Sequence, residues 1–312
     1  GEARSFAGLI QTDTSRNLVR VYGLQERLKR LGGEKRDVAS HVHVVGAGVM
    51  GGDIAAWCAL RGLSVTLQDR ELKYIEPALR RAGELFSKKL RGPGEADAAK
   101  DRLRADVEGE GVAHADVVIE AIFEDREAKQ NLYRQLEPKM QPGALLATNT
   151  SSIPLQELAP CLQQPARLVG LHFFNPVAKL PLVEVVSAPD SAEDSTATAL
   201  AFTRQIGKLP LPCRSRPGFL VNRILGPYMA EAMELLRDGH AAAVIDQAAV
   251  DFGMPMGPVE LADSVGLDVA RHVAAVLEPV IGRSAAPELL AKVEAGQLGR
   301  KTGSGFYSYK DV

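Results

Sequence analysis

The stretch HVHVVGAGVMGGDIAAWCALRG, residues 41–62, decides the fold. Its first residues are rich in valine, as in a short β-strand, and its last residues have helical character up to Gly62. Between them, Gly46, Gly48 and Gly51 follow the spacing GxGxxG. A strand that turns through this loop directly into a helix predicts the first βα unit of a dinucleotide-binding fold.

Each glycine of the loop has its own physical role. Gly46 permits the tight turn, Gly48 lets the backbone approach a pyrophosphate, and Gly51 lets the helix pack closely on the strand. The first helical residues, Val49 and Met50, add N–H groups and a partial positive charge that favour a bound phosphate. We expect these five residues to bind a cofactor, and the alternative is a strand–helix turn that binds no ligand.

The residue that ends the next predicted strand, Asp69, bears on the choice of cofactor. It follows Gly51 by 18 residues, at the end of the stretch 64–69. A carboxylate there accepts hydrogen bonds from ribose hydroxyls and repels a 2′-phosphate, which favours NAD over NADP. The adjacent Arg70 favours the opposite choice.

Strand and helix patterns alternate as far as residue 215. Helices are expected at about 71–90, 127–140 and 192–206, between strand candidates at 115–122, 144–149, 168–174, 182–187 and 209–213. This alternation predicts an α/β fold with a Rossmann-like, doubly wound, mostly parallel sheet. After Pro217 the strand patterns stop, and helical segments separated by Gly and Pro predict a smaller all-helical domain.

Three segments are therefore expected. Residues 1–36 hold a linker helix, residues 37–215 an NAD-binding Rossmann domain, and residues 216–312 the helical domain. The linker helix is predicted from apolar residues at helical spacing, with Gly32–Gly33 as its stop. These apolar residues are Leu18, Val21, Leu24, Leu28 and Leu31.

The composition excludes several classes of protein. A net charge of −2 among 312 residues provides no basic surface for nucleic acid. No apolar run is long enough to predict a membrane span. Three scattered cysteines, Cys58, Cys161 and Cys213, indicate reduced thiols and favour a cytoplasmic location. No spacing of His and Cys residues predicts a metal site.

Two polar residues interrupt the apolar strands of GLHFFNPVAKLPLVEVV, residues 170–186. His172 and Glu184 lie near the ends of these strands, where open α/β sheets place their sites. A histidine with a carboxylate partner is a general base, because the carboxylate fixes the imidazole tautomer and stabilises its protonated form. The spacing alone does not decide between this dyad and a structural hydrogen-bonded pair.

Two further polar residues are candidates for the site. Ser151, in ATNTSSIP, follows a predicted strand, and the alternative is that it caps a helix beginning near Pro154. Asn222, in GFLVNRIL, falls in the first turn of the helical domain, and the alternative is a cap or a core hydrogen bond.

Taken together, these motifs resemble the L-3-hydroxyacyl-CoA dehydrogenase family. The shared stretches occur in the family's order between about residues 41 and 309, and they are VVGAGVMGGDIA, DVVIEAIFED, TNTSSI, GLHFFNP, LVEVV, RPGFLVNRIL, GMPMGPVELADSVGLD and GRKTGSGFY. The resemblance thus covers most of the chain and favours the catalytic interpretation of His172 and Glu184.

The resemblance implies a role for each matching residue. His172 matches the catalytic base and Glu184 its partner, Ser151 matches the serine that binds the substrate's 3-oxygen, and Asn222 matches an asparagine near the thioester. The positions that would line the nicotinamide side are Glu124, Lys129 and Asn175, and the positions of the dinucleotide loop and ribose acid are Gly46, Gly48, Gly51 and Asp69.

The reaction that the resemblance implies is NAD-dependent oxidation of an L-3-hydroxyacyl-CoA to the 3-ketoacyl-CoA. Family members hold CoA with basic side chains on the helix after the ribose acid. The candidates here are Arg80, Arg81, Lys88 and Lys89, and the alternative is an ordinary solvated helix face.

One stretch differs from the stand-alone enzymes of the family. FAGLIQTDTSRNLVRVYGLQERLKRL, residues 6–31, is similar to the linker after the hydratase domain of multifunctional β-oxidation proteins. We therefore expect an excised dehydrogenase portion whose partners in the full protein are an upstream hydratase domain and a second C-terminal helical domain. The apolar face that the second domain would cover predicts self-association, for instance as a homodimer.

Two rival functions stay open at this stage. One is a related oxidoreductase that acts on a small hydroxy acid, although HFFNP and Asn222 argue against it. The other is a catalytically weak or inactive dinucleotide-binding fragment with the same fold.

Overall fold

A computed structural model describes residues 2–31, 37–92 and 94–309. The chain forms two compact units, the first ending at Ser215 and the second beginning at Arg216. None of the described helices combines the length and apolar character that crossing a membrane requires.

A single sheet organises the first unit. The described strands are His41–Val45 (β1), Ser64–Gln68 (β2), Leu103–Ala105 (β3), Val117–Glu120 (β4), Leu145–Thr148 (β5), Leu168–Phe173 (β6), Leu182–Ser187 (β7) and Leu209–Arg214 (β8). Their order across the sheet is β3-β2-β1-β4-β5-β6-β7-β8. Neighbours pair in parallel except β6 and β7, which are antiparallel. The predicted α/β class with a mostly parallel sheet is confirmed.

Helices cover the two faces of this sheet. They are Val49–Leu60 (α3), Leu72–Lys89 (α4), Glu95–Arg102 (α5), Arg126–Leu136 (α6), Leu155–Leu158 (α7) and Glu193–Gln205 (α8). The central strands are buried on both faces, and α3 contributes Ile54, Ala55, Cys58 and Ala59 to the same core. A continuous apolar strand is what a parallel sheet covered on both sides requires.

Two helices precede the sheet, namely Glu2–Ile10 (α1) and Asp13–Arg30 (α2). The second contains the predicted linker helix and carries a side-chain cap, because Thr12 accepts a hydrogen bond from the N–H of Ser15. No residue of α2 is buried. The predicted stop at Gly32–Gly33 lies outside the described residues.

The second unit consists of helices, as predicted. They are Val221–Arg237 (α9), Ala242–Phe252 (α10), Pro258–Val265 (α11), Leu267–Ile281 (α12) and Pro287–Glu294 (α13). Their apolar faces meet around buried Met233, Ile245, Val259 and Leu267.

A buried aspartate ties the end of the chain to this unit. Asp263, in α11, accepts hydrogen bonds from the N–H groups of Phe306 and Tyr307 at 3.0 and 2.9 Å and from the Tyr309 hydroxyl at 3.0 Å. A Cβ on Gly305 would lie 2.1 Å from Oδ1 of Asp263, so only glycine fits there. The motif GRKTGSGFY therefore contributes packing and hydrogen bonds to the second unit.

Candidate active site

The glycine loop has the geometry that a bound dinucleotide requires. Gly46 has a φ of 103°, in the region that favours glycine. A Cβ on Gly51 would stand 1.8 Å from the carbonyl oxygen of Gly46, so the close approach of helix to turn depends on its absence. At Gly48 a Cβ would meet nothing within 4 Å. The loop thus presents open space over Gly48, at the start of α3, where a pyrophosphate would bind.

Asp69 lies directly beside this loop. Its Oδ2 accepts a hydrogen bond from the N–H of Ala47 at 2.8 Å, and its Oδ1 accepts one from the N–H of Arg70 at 2.8 Å. A carboxylate offers about four acceptor positions, so these two bonds leave capacity for ribose hydroxyls. The carboxylate therefore holds the glycine loop and keeps acceptor capacity beside it.

Arg81 differs from the other basic residues of α4. Its guanidinium donates to the carbonyl oxygen of Gly48 at 3.2 Å and to Oδ1 of Asp53 at 3.4 Å. Arg80, Lys88 and Lys89 are exposed. The four residues therefore do not form one set, because Arg81 belongs to the edge of the glycine loop.

His172 and Glu184 face each other across β6 and β7. They are register partners in this antiparallel pair, which explains why residues twelve positions apart meet. Nδ1 of His172 lies 2.7 Å from Oε2 of Glu184, and both residues are buried. Because a carboxylate only accepts, Nδ1 carries the proton, and the acceptor lone pair of the neutral ring is on Nε2. We refer to these two residues as the dyad.

The ring of His172 is held on a second side as well. The Phe174 ring stands with its centroid 4.6 Å from that of the imidazole, at an interplanar angle of 57°. The backbone N–H of Phe173 donates to Oδ1 of Asn149 at 3.0 Å, which joins this strand end to the loop after β5. These contacts fix the direction of the imidazole.

Glu124 organises the loop that carries Ser151. Its Oε1 accepts hydrogen bonds from the N–H groups of Ser151 and Ser152 at 2.9 and 3.0 Å and also from the Thr150 hydroxyl. Burial alone would raise the pKa of Glu124, but the Lys129 ammonium and these donors outweigh it and lower the pKa. Glu124 is therefore a stable carboxylate at neutral pH.

The structure does not support helix capping as the role of Ser151. The helix α7 begins after Pro154 and has no side-chain cap. The N–H of Ser151 points instead at the Glu124 carboxylate, and its hydroxyl stands 3.4 Å from the same oxygen.

Lys129 is buried rather than a surface charge. Its ammonium lies 2.6 Å from Oε1 of Glu120 and 3.4 Å from Oε2 of Glu124. Oε2 of Glu120 accepts from the hydroxyls of Tyr133 and Thr148 at 2.7 and 2.8 Å. Every lone pair of the Glu120 carboxylate is thus used. Removing one partner of a buried ion pair such as that of Lys129 and Glu120 costs about 3–5 kcal/mol of stability.

Glu120 was not among the residues predicted for the site, although its sequence context has the same feature as that of Glu184. In both cases an acid interrupts an apolar strand, here in VVIE. Of the remaining candidates, Asn175 is exposed on the turn between β6 and β7, and Asn222 lies in the first turn of α9 in the second unit.

These groups share one edge of the sheet. The carboxyl ends of parallel strands lie on the same side. The glycine loop follows β1 and the Ser151 loop follows β5, while Glu120 is the last residue of β4 and His172 lies one residue before the end of β6. Glu184 joins them because β7 runs in the opposite direction. Open α/β sheets bind their ligands at this edge.

Comparison with known proteins gives the family. The NAD-binding domain of 3-hydroxyacyl-CoA dehydrogenase matches residues 41–216, and the C-terminal domain of the same enzyme matches residues 218–309. The chain belongs to the 3-hydroxyacyl-CoA dehydrogenase family.

Solved structures of this family agree with the assignment. FadB2 of Mycobacterium tuberculosis is 36% identical with a TM-score of 0.84, and the match covers 88% of this chain and 100% of that one. The 3-hydroxybutyryl-CoA dehydrogenase of Escherichia coli is 35% identical with a TM-score of 0.82, over 87% of this chain and 60% of that one.

A longer relative is the fatty acid oxidation complex subunit alpha of Shewanella amazonensis. It is 38% identical over 319 residues, which is 99% of this chain. The chain spans 45% of the length of that relative.

Membership of the 3-hydroxyacyl-CoA dehydrogenase family confirms NAD as the cofactor. The geometry fits it, since Gly46, Gly48 and Gly51 leave room for a pyrophosphate and Asp69 stands beside them. The enzyme is thus an NAD-dependent dehydrogenase.

Proposed function

We propose that this chain oxidises L-3-hydroxyacyl-CoA to 3-ketoacyl-CoA, with His172 as the general base and Glu184 as its partner. The observation that carries the proposal is the buried 2.7 Å contact of the dyad at the ligand-binding edge of the sheet. A structural pair would serve equally well anywhere along the strands, whereas this pair lies at the same edge of the sheet as the glycine loop.

The dyad is suited to removing a hydroxyl proton. Nε2 of the neutral His172 ring takes the proton from the 3-hydroxyl, and the Glu184 carboxylate stabilises the imidazolium that results. Bound NAD would supply the acceptor for the hydride that leaves C3 of the substrate. In the reverse direction the protonated His172 returns the proton to the 3-oxygen.

Ser151 is the proposed donor to the substrate's 3-oxygen. Its backbone is held by Glu124, which Lys129 and Thr150 hold in turn. A donor fixed before the substrate arrives costs no reorganisation in the transition state. Glu124 and Asn175 are proposed to line the nicotinamide side, and buried Lys129 acts there by positioning Glu124. Asn222 is proposed to bind near the thioester.

The remaining basic residues of α4 are candidates for the CoA end of the substrate. Arg80, Lys88 and Lys89 are exposed and therefore available to a phosphate-bearing ligand. Arg81 is better placed for the dinucleotide, since it contacts Gly48. We assign the first three to CoA and Arg81 to the NAD loop.

We also propose a setting for this enzyme. A longer protein would add a hydratase domain before residue 1 and a second helical domain after residue 312, in line with the 45% coverage of the relative from Shewanella amazonensis. The described cysteines, Cys58, Cys161 and Cys213, are free thiols, which suits a cytoplasmic location.

The test of the proposal is the reaction itself. Acetoacetyl-CoA should cause consumption of NADH in the presence of the protein, and free acetoacetate at the same concentration should cause much less. A series of 3-ketoacyl-CoA substrates would then define the preferred chain length.

Two outcomes would contradict the proposal. NADH binding without consumption would indicate a dinucleotide-binding protein that lacks turnover. A faster reaction with the free 3-keto acid than with its CoA thioester would indicate a dehydrogenase of small hydroxy acids.

A further inference from the structure

Lys208 is a buried charged side chain that the proposed reaction does not use. It lies between α8 and β8 and is 4% exposed. Its ammonium donates hydrogen bonds to the carbonyl oxygens of Val177 and Leu180, the second at 2.8 Å. On its other side, Nζ stands 4.0 Å from the centre of the Trp57 ring, which is a cation–π contact.

The two carbonyl groups belong to the turn between β6 and β7. This turn carries Asn175, and its two strands carry the dyad. The N–H of Leu209 adds a third bond, to the carbonyl oxygen of Pro181 at 2.7 Å. Carbonyl groups that point into the protein require a donor. The donors to these three carbonyl groups come from residues 208 and 209.

Three ionisable groups face the Lys208 ammonium. The Cys58 thiol and the Arg61 guanidinium come from α3, and the Lys89 ammonium comes from α4. Burial and the two positive charges lower the pKa of Lys208 to about 8, although Cys58 acts in the opposite direction and raises it. Burial also raises the pKa of Cys58 to about 12, so this thiol stays neutral while Lys208 titrates.

We propose that the charged form of Lys208 is a positioning device, which holds the β6–β7 turn and with it Asn175 and the dyad in working geometry. When Lys208 loses its proton, the amine keeps its donors but loses the charge that strengthens them and that attracts the Trp57 ring. The turn is then held less firmly. The structural part of this inference stands alone, and its kinetic part rests on the proposed function.

The first test uses an optical signal inside the contact. Trp57 is the one tryptophan of the sequence, so its fluorescence reports on this site alone. We expect an emission change between about pH 6.5 and 9.5 with a midpoint near the pKa of about 8. Lys208→Arg should move this midpoint upward, because arginine stays charged, and Lys208→Met should abolish it.

A matched control separates Lys208 from its neighbour. Cys58→Ala removes one of the three ionisable groups that face Lys208 and should leave an emission transition in the same mildly alkaline range. A flat emission curve in the unsubstituted protein, or an unchanged midpoint in Lys208→Arg, would overturn the proposal.

The second test is the pH profile of substrate oxidation. The proposed base of this direction works in its unprotonated form, so the alkaline side of the profile is left to report on Lys208. We expect kcat to fall as pH rises through about 8 and this fall to move upward in Lys208→Arg. Lys208→Met should lower kcat by about 10–100-fold through misplacement of the dyad, with little change in NAD affinity.

The two tests separate the two proposals. If the unsubstituted protein shows the Trp57 transition but no turnover, the proposed function fails and the anchoring by Lys208 stands. If turnover is normal and Lys208→Met keeps the full kcat and the full alkaline fall, the positioning role of Lys208 is wrong. If Lys208→Met does not fold, the midpoint in Lys208→Arg decides.

Discussion

At the scale of the residue, the proposed chemistry depends on which ring nitrogen of His172 carries the proton. Glu184 decides this, because its carboxylate can only accept and so holds the proton on Nδ1. Glu184→Gln offers an amide that can donate as well, which permits the wrong tautomer. We expect kcat to fall by about 10²–10⁴-fold, the range in which general-base catalysis lies.

The measurement must distinguish this role from a structural one. Single-turnover rates per folded molecule, with unfolding in urea as a parallel measurement, separate the two. His172→Ala should lose a similar factor while NADH affinity stays nearly unchanged. If Glu184→Gln unfolds more readily but keeps its rate per folded molecule, the pair is structural and the dyad is not the base.

Some residues of the site could be predicted from sequence patterns and others could not. His172 and Glu184 were predictable because polar residues in apolar strands need a partner, and the same argument reaches Glu120. Arg81 was not separable from Arg80, because both are basic residues on one helix and only packing shows which one contacts Gly48. The role of Lys208 could not be predicted from the sequence. Its hydrogen-bond partners are backbone carbonyl groups, which every residue type carries, so no sequence pattern marks them.

At the scale of the element, the glycine loop gives a prediction with a built-in control. Gly51→Ala would place a Cβ 1.8 Å from the carbonyl oxygen of Gly46, so helix and turn must separate. Gly48→Ala meets no atom within 4 Å in the protein and intrudes only on a ligand. We therefore expect Gly51→Ala to lower the free energy of unfolding by about 1–3 kcal/mol, the typical cost of overpacking.

Gly48→Ala should instead keep the stability of the unsubstituted protein and bind NADH more weakly. Urea unfolding and NADH titration of both variants check the two expectations. Equal loss of stability in the two variants would mean that the loop is purely a packing feature and that the space over Gly48 is not a binding site.

Most elements of the first unit followed from periodicity, and the exceptions have physical causes. The strand β3 is three residues long and only Leu103 is buried, so it leaves too little alternation to detect. Periodicity does not give the direction of β7, but the eight residues that connect it to β6 do, because a parallel pair needs a crossover of about a dozen residues or more. In the second unit, the motif GRKTGSGFY indicated the family. Only the folded structure shows that N–H groups of Phe306 and Tyr307 donate hydrogen bonds to the Asp263 carboxylate.

At the scale of the whole molecule, one buried and one half-buried histidine, His43 and His41, make stability depend on pH. His43 is fully buried between Thr66 and Gln68, and burial lowers its pKa and that of His41 below the ordinary 6.5. The unfolded chain therefore binds more protons than the folded one as pH falls below about 6.5. The contribution of these two histidines to stability should be constant above this value and decrease below it, by up to about 1.4 kcal/mol per pH unit for each group.

Urea midpoints measured between about pH 8 and 5 check this expectation, since carboxylates begin to titrate only below that range. His43→Gln should flatten the slope. His240→Gln, which changes an exposed histidine, is the control and should keep it. A slope that His43→Gln leaves unchanged would assign the pH dependence to other groups.

The exposed apolar residues of the second unit bear on association. Phe252 is 89% exposed, Ile224 68% and Val244 61%, all in the second unit. Apolar surface of this kind favours burial against another molecule. We expect the protein to self-associate at tens of micromolar, as measured by sedimentation velocity.

Two substitutions locate the surface that is responsible. Phe252→Ser should weaken the association, because it removes the most exposed large apolar side chain of the second unit. Phe6→Ser removes an equally large residue, 67% exposed on α1 of the first unit, and should leave the association unchanged. The reverse result would place the contact on α1 and α2, where the proposed hydratase domain would otherwise pack, and a strictly monomeric protein would contradict both assignments.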